Sequence, residues 1–351
     1  MTKEISLQID EEEIIFADFT NRENIEFVSI CKSGNVYLFD CETNEPKLLG
    51  DIEFPLKYSE AFFEYSELIS SKREFLQIQS FNNYVSVVQK YGQNGLIFDL
   101  NNPKYKKELK RGDYFVEHCT FPIAFYSQRN ATFLIHGTDW NRLDITCLET
   151  DELLTDRGID YETDSNYFDY FHSYLSISPY EKHFTSNGWI WHPYGQITLY
   201  SIDKFLENFE LSHKDIHLAD DCYSFDWDRP LCWIDENTLA IGFSRNTEEY
   251  GKTDFPDEIL FVDIVENKII NQIEFNGFGS TSDGDVFGEL FYDKESSRLI
   301  SLNEKKGLFV SDLESKKMFE DRSLISHKYS GKHKLLYKID YNNKMVNLEK
   351  I

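Results

Sequence analysis

Three histidines stand where imidazole and carboxylate chemistry can meet: His136 in His-Gly-Thr-Asp139-Trp140, His172 in Asp169-Tyr-Phe-His, and His192 in Trp-Ile-Trp-His-Pro. With Asp139 and Asp169 they make a credible donor set for a metal that accepts nitrogen and carboxylate oxygen. Their separation along the chain does not demand convergence. A histidine bonded to a backbone carbonyl or a nearby carboxylate is the commoner use of this side chain. Asp283-Gly-Asp285 with Glu289 supplies oxygen ligands but lacks the regular spacing of an EF-hand loop. Paired carboxylates also serve glycosidases, but that reaction needs a defined separation across a cleft, which positions on different elements do not reveal. The chain has no nucleophile elbow, phosphate-binding loop, dinucleotide fingerprint or zinc-protease helix. No cofactor is expected.

The six cysteines (Cys31, Cys41, Cys119, Cys147, Cys222, Cys232) are scattered with no CxxC pair, so neither a zinc site nor a disulfide framework is expected. Several lie in strand-like runs, where a buried free thiol is the ordinary reading and an intracellular, reducing compartment fits. The first ten residues lack the apolar core of a secretory signal, and no stretch approaches the ~18 apolar residues of a membrane span. With 62 acidic and 36 basic residues the net charge is −26. That charge argues against nucleic acid, whose phosphates need clustered Lys and Arg, and against an anionic membrane surface. It favours a cationic partner.

These residues must be positioned by strands. Short β-patterned runs bounded by turn residues recur along the chain, and long helical periodicity is nearly absent. The clearest unit, Leu175-Ser-Ile-Ser-Pro-Tyr-Glu-Lys-His-Phe-Thr-Ser-Asn-Gly188, reads as a strand, a tight turn and a second strand. A third strand follows in each unit and often closes on Asp, as in Val36–Cys41, Leu96–Leu100, Ile259–Ile264 and Leu308–Leu313. Four strands recurring about every fifty residues predict β-propeller blades. The units resemble the WD-repeat and YVTN families, whose blades carry a Ser-Pro-Asp-Gly-type turn and an Asp ending the third strand. Here the pattern is degenerate, with no complete Gly-His…Trp-Asp pair. Gly188-Trp-Ile-Trp-His-Pro193 is similar to a segment of bacterial propellers, a kinship that implies no activity.

The expectation is an all-β, seven-bladed β-propeller forming a single domain over 1–351, with six or eight blades also compatible. Blades are placed at about 11–54, 59–110, 115–156, 170–211, 224–275, 286–320 and from 324 onward. Glu4 to Asp10 is expected to supply the outer strand of the last blade and close the ring. Lys204–Phe209 is expected to form one helical turn. Trp189 and Trp191 are expected to face opposite sides of an extended strand, one packing between blades.

Nearly every long insertion after residue 150 falls in loops of one face: 156–172, 212–229, 244–258 and 275–289. They carry eighteen acidic residues against five basic ones, interleaved with aromatics. Long loops on one face of a rigid scaffold are a common way to build a binding site. The alternative is that the loops are merely solvated, with aromatics capping blade ends. The binding residues expected are Asp139, Trp140, Tyr161, Asp169, His172, Trp189, Trp191, His192, Asp220, Asp221, Trp227, Asp228, Glu248, Glu249 and Tyr250. The function expected is a non-catalytic module that binds a basic protein partner, in a sharper version an immunity-type inhibitor of a cationic toxin. A metal-dependent enzyme or sensor with His136, Asp139, His172 and His192 around a pocket is the alternative.

Overall fold

Alternating apolar runs separated by Asx-capped turns can bury only one edge or face each, so they must stack. In the computed structural model they do so as seven antiparallel four-stranded sheets and one two-stranded sheet. The structure describes every residue except 1, 8, 10, 44, 57–74, 156–167, 192–193, 209–212, 217, 219–226, 244–256, 281–285 and 351. The fold is a seven-bladed β-propeller. Among the described residues no helix is long and apolar enough to cross a membrane.

By contact density the chain divides into two units: Met1–Phe121 with Gly137–Trp140 and Lys328–Ile351, and Pro122–His136 with Asn141–His327. In the first unit, blade 1 runs from Ile14–Phe19 to Pro46–Asp51 and blade 2 from Leu76–Phe81 to Lys106–Lys110. Blade 7 takes three strands from Lys328–Ser330, Leu335–Asp340 and Met345–Lys350, and its fourth from Thr2–Ser6. The fourth strand therefore comes from the amino-terminal segment, beginning two residues before and ending four residues before the predicted Glu4 to Asp10. Leu7 and Ile9, beyond its end, are buried with Phe19, Phe27, Phe39, Tyr337 and Val346. The expected strand bound is too late: the paired residues end at Ser6, and Leu7 adds one more backbone bond, its N–H donating to Lys344 O at 2.7 Å.

In the second unit, blade 3 begins at Ile123–Gln128, blade 4 at Phe171–Ile177, blade 5 at Leu231–Trp233 and blade 6 at Glu289–Asp293. The predicted helical turn is an α-helix over Ile202–Asn208, whose Phe205 is fully buried against Phe184 and Tyr200. Apolar clusters join neighbouring blades, for example Ala124, Ile135, Leu143 and Ile145 of blade 3 with Phe184 and Tyr200 of blade 4.

The Asp that ends a third strand has a physical task. Asp40 accepts the backbone N–H groups of Glu42 and Thr43 at 2.7 and 3.2 Å, and Asp263 accepts those of Val265 and Glu266 at 2.8 and 2.9 Å. Asp99 and Asp312 do the same for Asn101 and Glu314. Each carboxylate satisfies donors that the tight turn would otherwise strand. The residue after that Asp receives a second contact. Lys3 Nζ donates to Cys41 O at 3.3 Å, Lys47 to Leu100 O at 2.8 Å and Lys214 to Ile264 O at 3.3 Å. Each lysine lies on the fourth strand of one blade and its acceptor at the end of the third strand of the next.

A second repeated contact uses the turn between first and second strands. In blade 4, Ser178 Oγ accepts the N–H groups of Lys182 and His183 at 3.2 and 3.0 Å and donates to Glu236 of blade 5 at 2.8 Å. Glu236 also accepts Tyr180 N–H at 2.8 Å and lies 3.1 Å from His183 Nδ1. Glu181 repeats the arrangement one blade earlier, accepting from the Ser127 N–H and hydroxyl at 3.1 and 3.0 Å. Glu236→Ala strips three groups of their acceptor at once, so it is expected to destabilise the chain by about 1–3 kcal/mol. The check is the urea midpoint at constant m-value, with Glu236→Gln, which keeps a carbonyl acceptor, losing less. An unchanged midpoint for the alanine variant refutes it.

Candidate functional site

The site is built around Tyr170, which is fully buried. Its hydroxyl lies 2.8 Å from both the Ser186 and Gln196 carbonyls and accepts Gly188 N–H at 2.8 Å. Position 188 must be glycine because a Cβ there meets Phe171 O at 2.0 Å and Tyr170 Oη at 2.9 Å. That close approach lets Phe171 pair directly across the strands with Trp189. The two rings stack at 3.7 Å with an interplanar angle of 1°. Such a pair joins the burial of two large rings to a favourable ring contact.

Trp191 closes over this pair edge-on, 5.3 Å from Trp189 and 5.4 Å from Phe171, both at 89°. Trp227 lies 5.5 Å from Trp189 on a 30° tilt. The expectation that Trp189 and Trp191 face opposite sides is therefore wrong. Side chains repeat every second residue along a strand, so positions 189 and 191 share a side. Trp189 is 2% exposed and Trp191 39% exposed, so the first supports and the second presents.

Trp227 and Asp228 are half-buried. Asp228 adopts a left-handed backbone, φ 59°, and its carboxylate accepts the Ser173 hydroxyl at 2.7 Å and Tyr174 N–H at 3.2 Å. Asn187 reinforces the segment by donating to Arg229 O at 2.9 Å. Asp228 thus anchors the turn that carries Trp227. The strand register shifts between Phe171 and Tyr174, leaving Tyr174 38% exposed close to these rings' anchor. Tyr174 was missed by sequence reasoning, since the irregularity that turns it outward leaves no mark in the local pattern.

Other expected residues fall elsewhere. His172 is fully buried, with Nδ1 3.1 Å from Ser186 Oγ, and burial followed by nearby His213 pushes its pKa down to about 3. His136 is buried, with Nε2 3.0 Å from Thr146 Oγ1. Neither ring is placed to exchange protons with a substrate in solution. Their surroundings are strand interiors, which sequence spacing does not distinguish from a pocket. Asp169 is exposed. Asp139 and Trp140 belong to the first unit, where Asp139 Oδ1 accepts Trp140 N–H at 2.8 Å and Trp140 meets exposed Tyr114 edge-on at 5.3 Å. Tyr161, His192, Asp220, Asp221, Glu248, Glu249 and Tyr250 lie outside the described residues, as does Asp283-Gly-Asp285. Among the described residues no three His, Cys, Asp or Glu groups are placed to hold a metal ion.

Among the insertion aromatics, Tyr170, Phe171 and Phe278 are fully buried and cap blade ends from within. Around the Phe171–Trp189 stack, Trp191 and Tyr174 are exposed and Trp227 is half-buried. Cys31 and Cys41 are buried free thiols, and burial pushes both pKa values up to about 12, which leaves them unreactive.

No protein-family model matches the chain, and no curated protein does. Solved structures do, 1140 chains in number. One, from the crystal structure of the mitotic checkpoint complex, covers 99% of this chain and 93% of its own at a TM-score of 0.54 and 11% identity. A likeness at that identity shows the fold alone: the chain is a seven-bladed β-propeller.

Proposed function

We propose that this propeller is a non-catalytic protein-binding module whose aromatic, acidic loop face holds a basic partner. The observation that carries the reading is Trp191, an indole 39% exposed on a stacked, buried base of Phe171 and Trp189. Evolved interfaces concentrate binding free energy in aromatic anchors held rigidly by neighbours. A net charge of −26 supplies the long-range attraction for a cationic protein and raises its encounter rate. The solved propeller noted above is part of a multi-protein complex, which supports protein partners in general. An immunity-type complex with a cationic toxin fits the same chemistry and is the sharper form of the reading.

The test begins with affinity capture from the native cell, followed by titration of the identified partner. Binding is expected to weaken steeply with salt. Trp191→Ala is expected to weaken it at least tenfold, about 1.4 kcal/mol, while leaving the thermal midpoint nearly unchanged. Charge reversal across 212–258 is expected to slow association. Failure to recover any partner, or a Trp191→Ala variant that binds as tightly as the parent, refutes the reading. A recovered toxin whose activity is unaffected by the propeller refutes only the sharper form.

A further inference from the structure

An edge strand of a sheet displays a row of backbone donors and acceptors, and proteins blunt such edges with lysines, prolines or very short strands. The fourth strands of this propeller mostly follow that rule. Blade 1 ends on Pro46–Asp51, with Pro46 at its start, and blade 2 on Lys106–Lys110, three of whose five residues are lysine. Blades 3 and 4 end on two-residue strands, Glu152–Leu153 and Lys214–Asp215. Blade 6, whose five-residue Lys317–Asp321 leaves Met318 51% and Phe319 48% exposed, departs from it in part, and blade 5 departs over a longer strand. Its fourth strand, Lys268–Glu274, is seven residues long and reads Lys-Ile-Ile-Asn-Gln-Ile-Glu. Among the described residues it pairs with one strand only, Glu258–Asp263, and at its far end the Glu274 carbonyl accepts the Ser315 hydroxyl of blade 6. Every residue of it but Ile273 is exposed, Ile269 at 38% and Ile270 at 50%, and Val265 beside it is 62% exposed.

The charges along that edge say what covers it. The strand carries Lys268 at one end and Glu274 at the other, with Asn271 midway. Set antiparallel against an identical strand about a two-fold axis at Asn271, each Lys268 faces the other copy's Glu274, Ile269 faces Ile273, and Asn271 faces itself. A parallel pairing would oppose lysine to lysine and glutamate to glutamate. Opposite charges across neighbouring strands stabilise a pair and like charges oppose it. Self-complementarity of one patch is what a two-fold interface requires. The register shift at Ile270 shortens the strand by about one residue rise, ~3.3 Å, which the four-carbon stem of lysine spans. Among the described residues Lys268 forms an ion pair with Glu266, at 4.0 Å and with both groups well exposed, a weak contact that a closer carboxylate can replace.

We infer that the Lys268–Glu274 edge of blade 5 is a homodimer interface, in which a second copy of this chain adds its own blade 5 to form a continuous sheet. This goes beyond the proposed partner binding and uses none of its residues.

Sedimentation of the full chain between about 1 and about 500 μM is the test, because a one-strand contact lies at the weak end of interface sizes. The mass is expected to rise with concentration from 41.5 kDa towards twice that value. Lys268→Glu and Glu274→Lys are each expected to raise the dissociation constant at least tenfold, by opposing like charges. An equimolar mixture of the two variants is expected to associate again, because each mixed pair restores both opposite-charge contacts. Far-UV circular dichroism of each variant checks that the fold is kept. A parent chain that stays at 41.5 kDa throughout overturns the inference. So does a mixture that associates no better than either variant alone, since that outcome places the contact elsewhere.

Discussion

Gly188→Ala is expected to cost about 3 kcal/mol or more. In an ordinary strand the exchange of glycine for alanine is stabilising, by roughly 0.5–1 kcal/mol, because glycine loses the most freedom on folding. The sign reverses here for a reason of proximity. The new Cβ would stand 2.0 Å from the Phe171 carbonyl oxygen and 3.0 Å from Tyr170 Cζ. The first is backbone of the adjacent strand and cannot swing aside. Relief requires that Phe171 withdraw, which separates the Phe171–Trp189 stack at 3.7 Å and stretches the hydrogen bond from Gly188 N–H to Tyr170. Urea denaturation measures the loss. Near-ultraviolet circular dichroism reads the loosened indole of Trp189. Tyr170→Phe makes the control: it removes the hydroxyl that Gly188 N–H reaches and is expected to cost about 1–3 kcal/mol. It leaves the Phe171 carbonyl in place, so Gly188→Ala should remain costly in its background. A Gly188→Ala variant as stable as the parent would sink the account of why that position is glycine.

What could be read from residues alone was the blade and its count. The alternation of apolar residues in Leu96–Leu100 or Ile259–Ile264, and the Asp that closes each, are local features, and the turn that Asp99 or Asp263 stabilises is equally local. The blade positions therefore followed from the pattern, including the origin of the strand that the amino-terminal segment lends to blade 7, but blade 4 runs on to Lys214–Asp215, inside the stretch expected to be the 212–229 loop. The helix over Ile202–Asn208 was legible for the same reason. Contacts between blades left no comparable signal. Nothing in Lys3, Lys47 or Lys214 distinguishes a lysine that donates to the next blade from one that is solvated. Glu181 and Glu236 read as turn residues, though each holds the turn of a neighbouring blade some fifty residues away. The candidate site was legible in part. The aromatic content of blade 4 singled out Trp189, Trp191 and Trp227, but which ring is base and which is surface depends on Phe171, brought opposite Trp189 by a register shift. Asp228 read as an exposed charge because its bonds to Ser173 and Tyr174 cross 55 and 54 residues of chain.

His172 carries the other large effect, and it appears as a slope of stability against pH. The ring is fully buried, 4.9 Å from Tyr170 at 68°, with Tyr200 and Phe168 beyond. Removing a positive charge from water into those surroundings is unfavourable, and His213 nearby adds to the penalty. The imidazole therefore stays neutral in the folded chain down to about pH 3, whereas in the unfolded chain it takes up a proton near pH 6.5. Between those values the unfolded state binds more protons, so stability falls as pH falls and is fully present above pH 6.5. The slope approaches about 1.4 kcal/mol per pH unit for this one group. His333, also lowered by burial first and then by Lys332, contributes in the same direction, and the paired carboxylates add their own acid sensitivity. Subtraction isolates His172. Stability curves for the parent and for His172→Gln, measured by urea from pH 7.5 to pH 4, should be separated at neutral pH, where the variant loses the fitted ring and its Ser186 contact. They should then converge as pH falls, because the variant lacks the group whose protonation favours unfolding. A gap that stays constant across the range would mean that position 172 takes a proton as readily folded as unfolded, and that the ring is not enclosed. Convergence would establish that this histidine, although flanked by Asp169 and close to the exposed rings, serves the core of blade 4 as a neutral hydrogen-bonding group. Recognition would then rest on the aromatic and acidic side chains alone and vary little with pH through the neutral range.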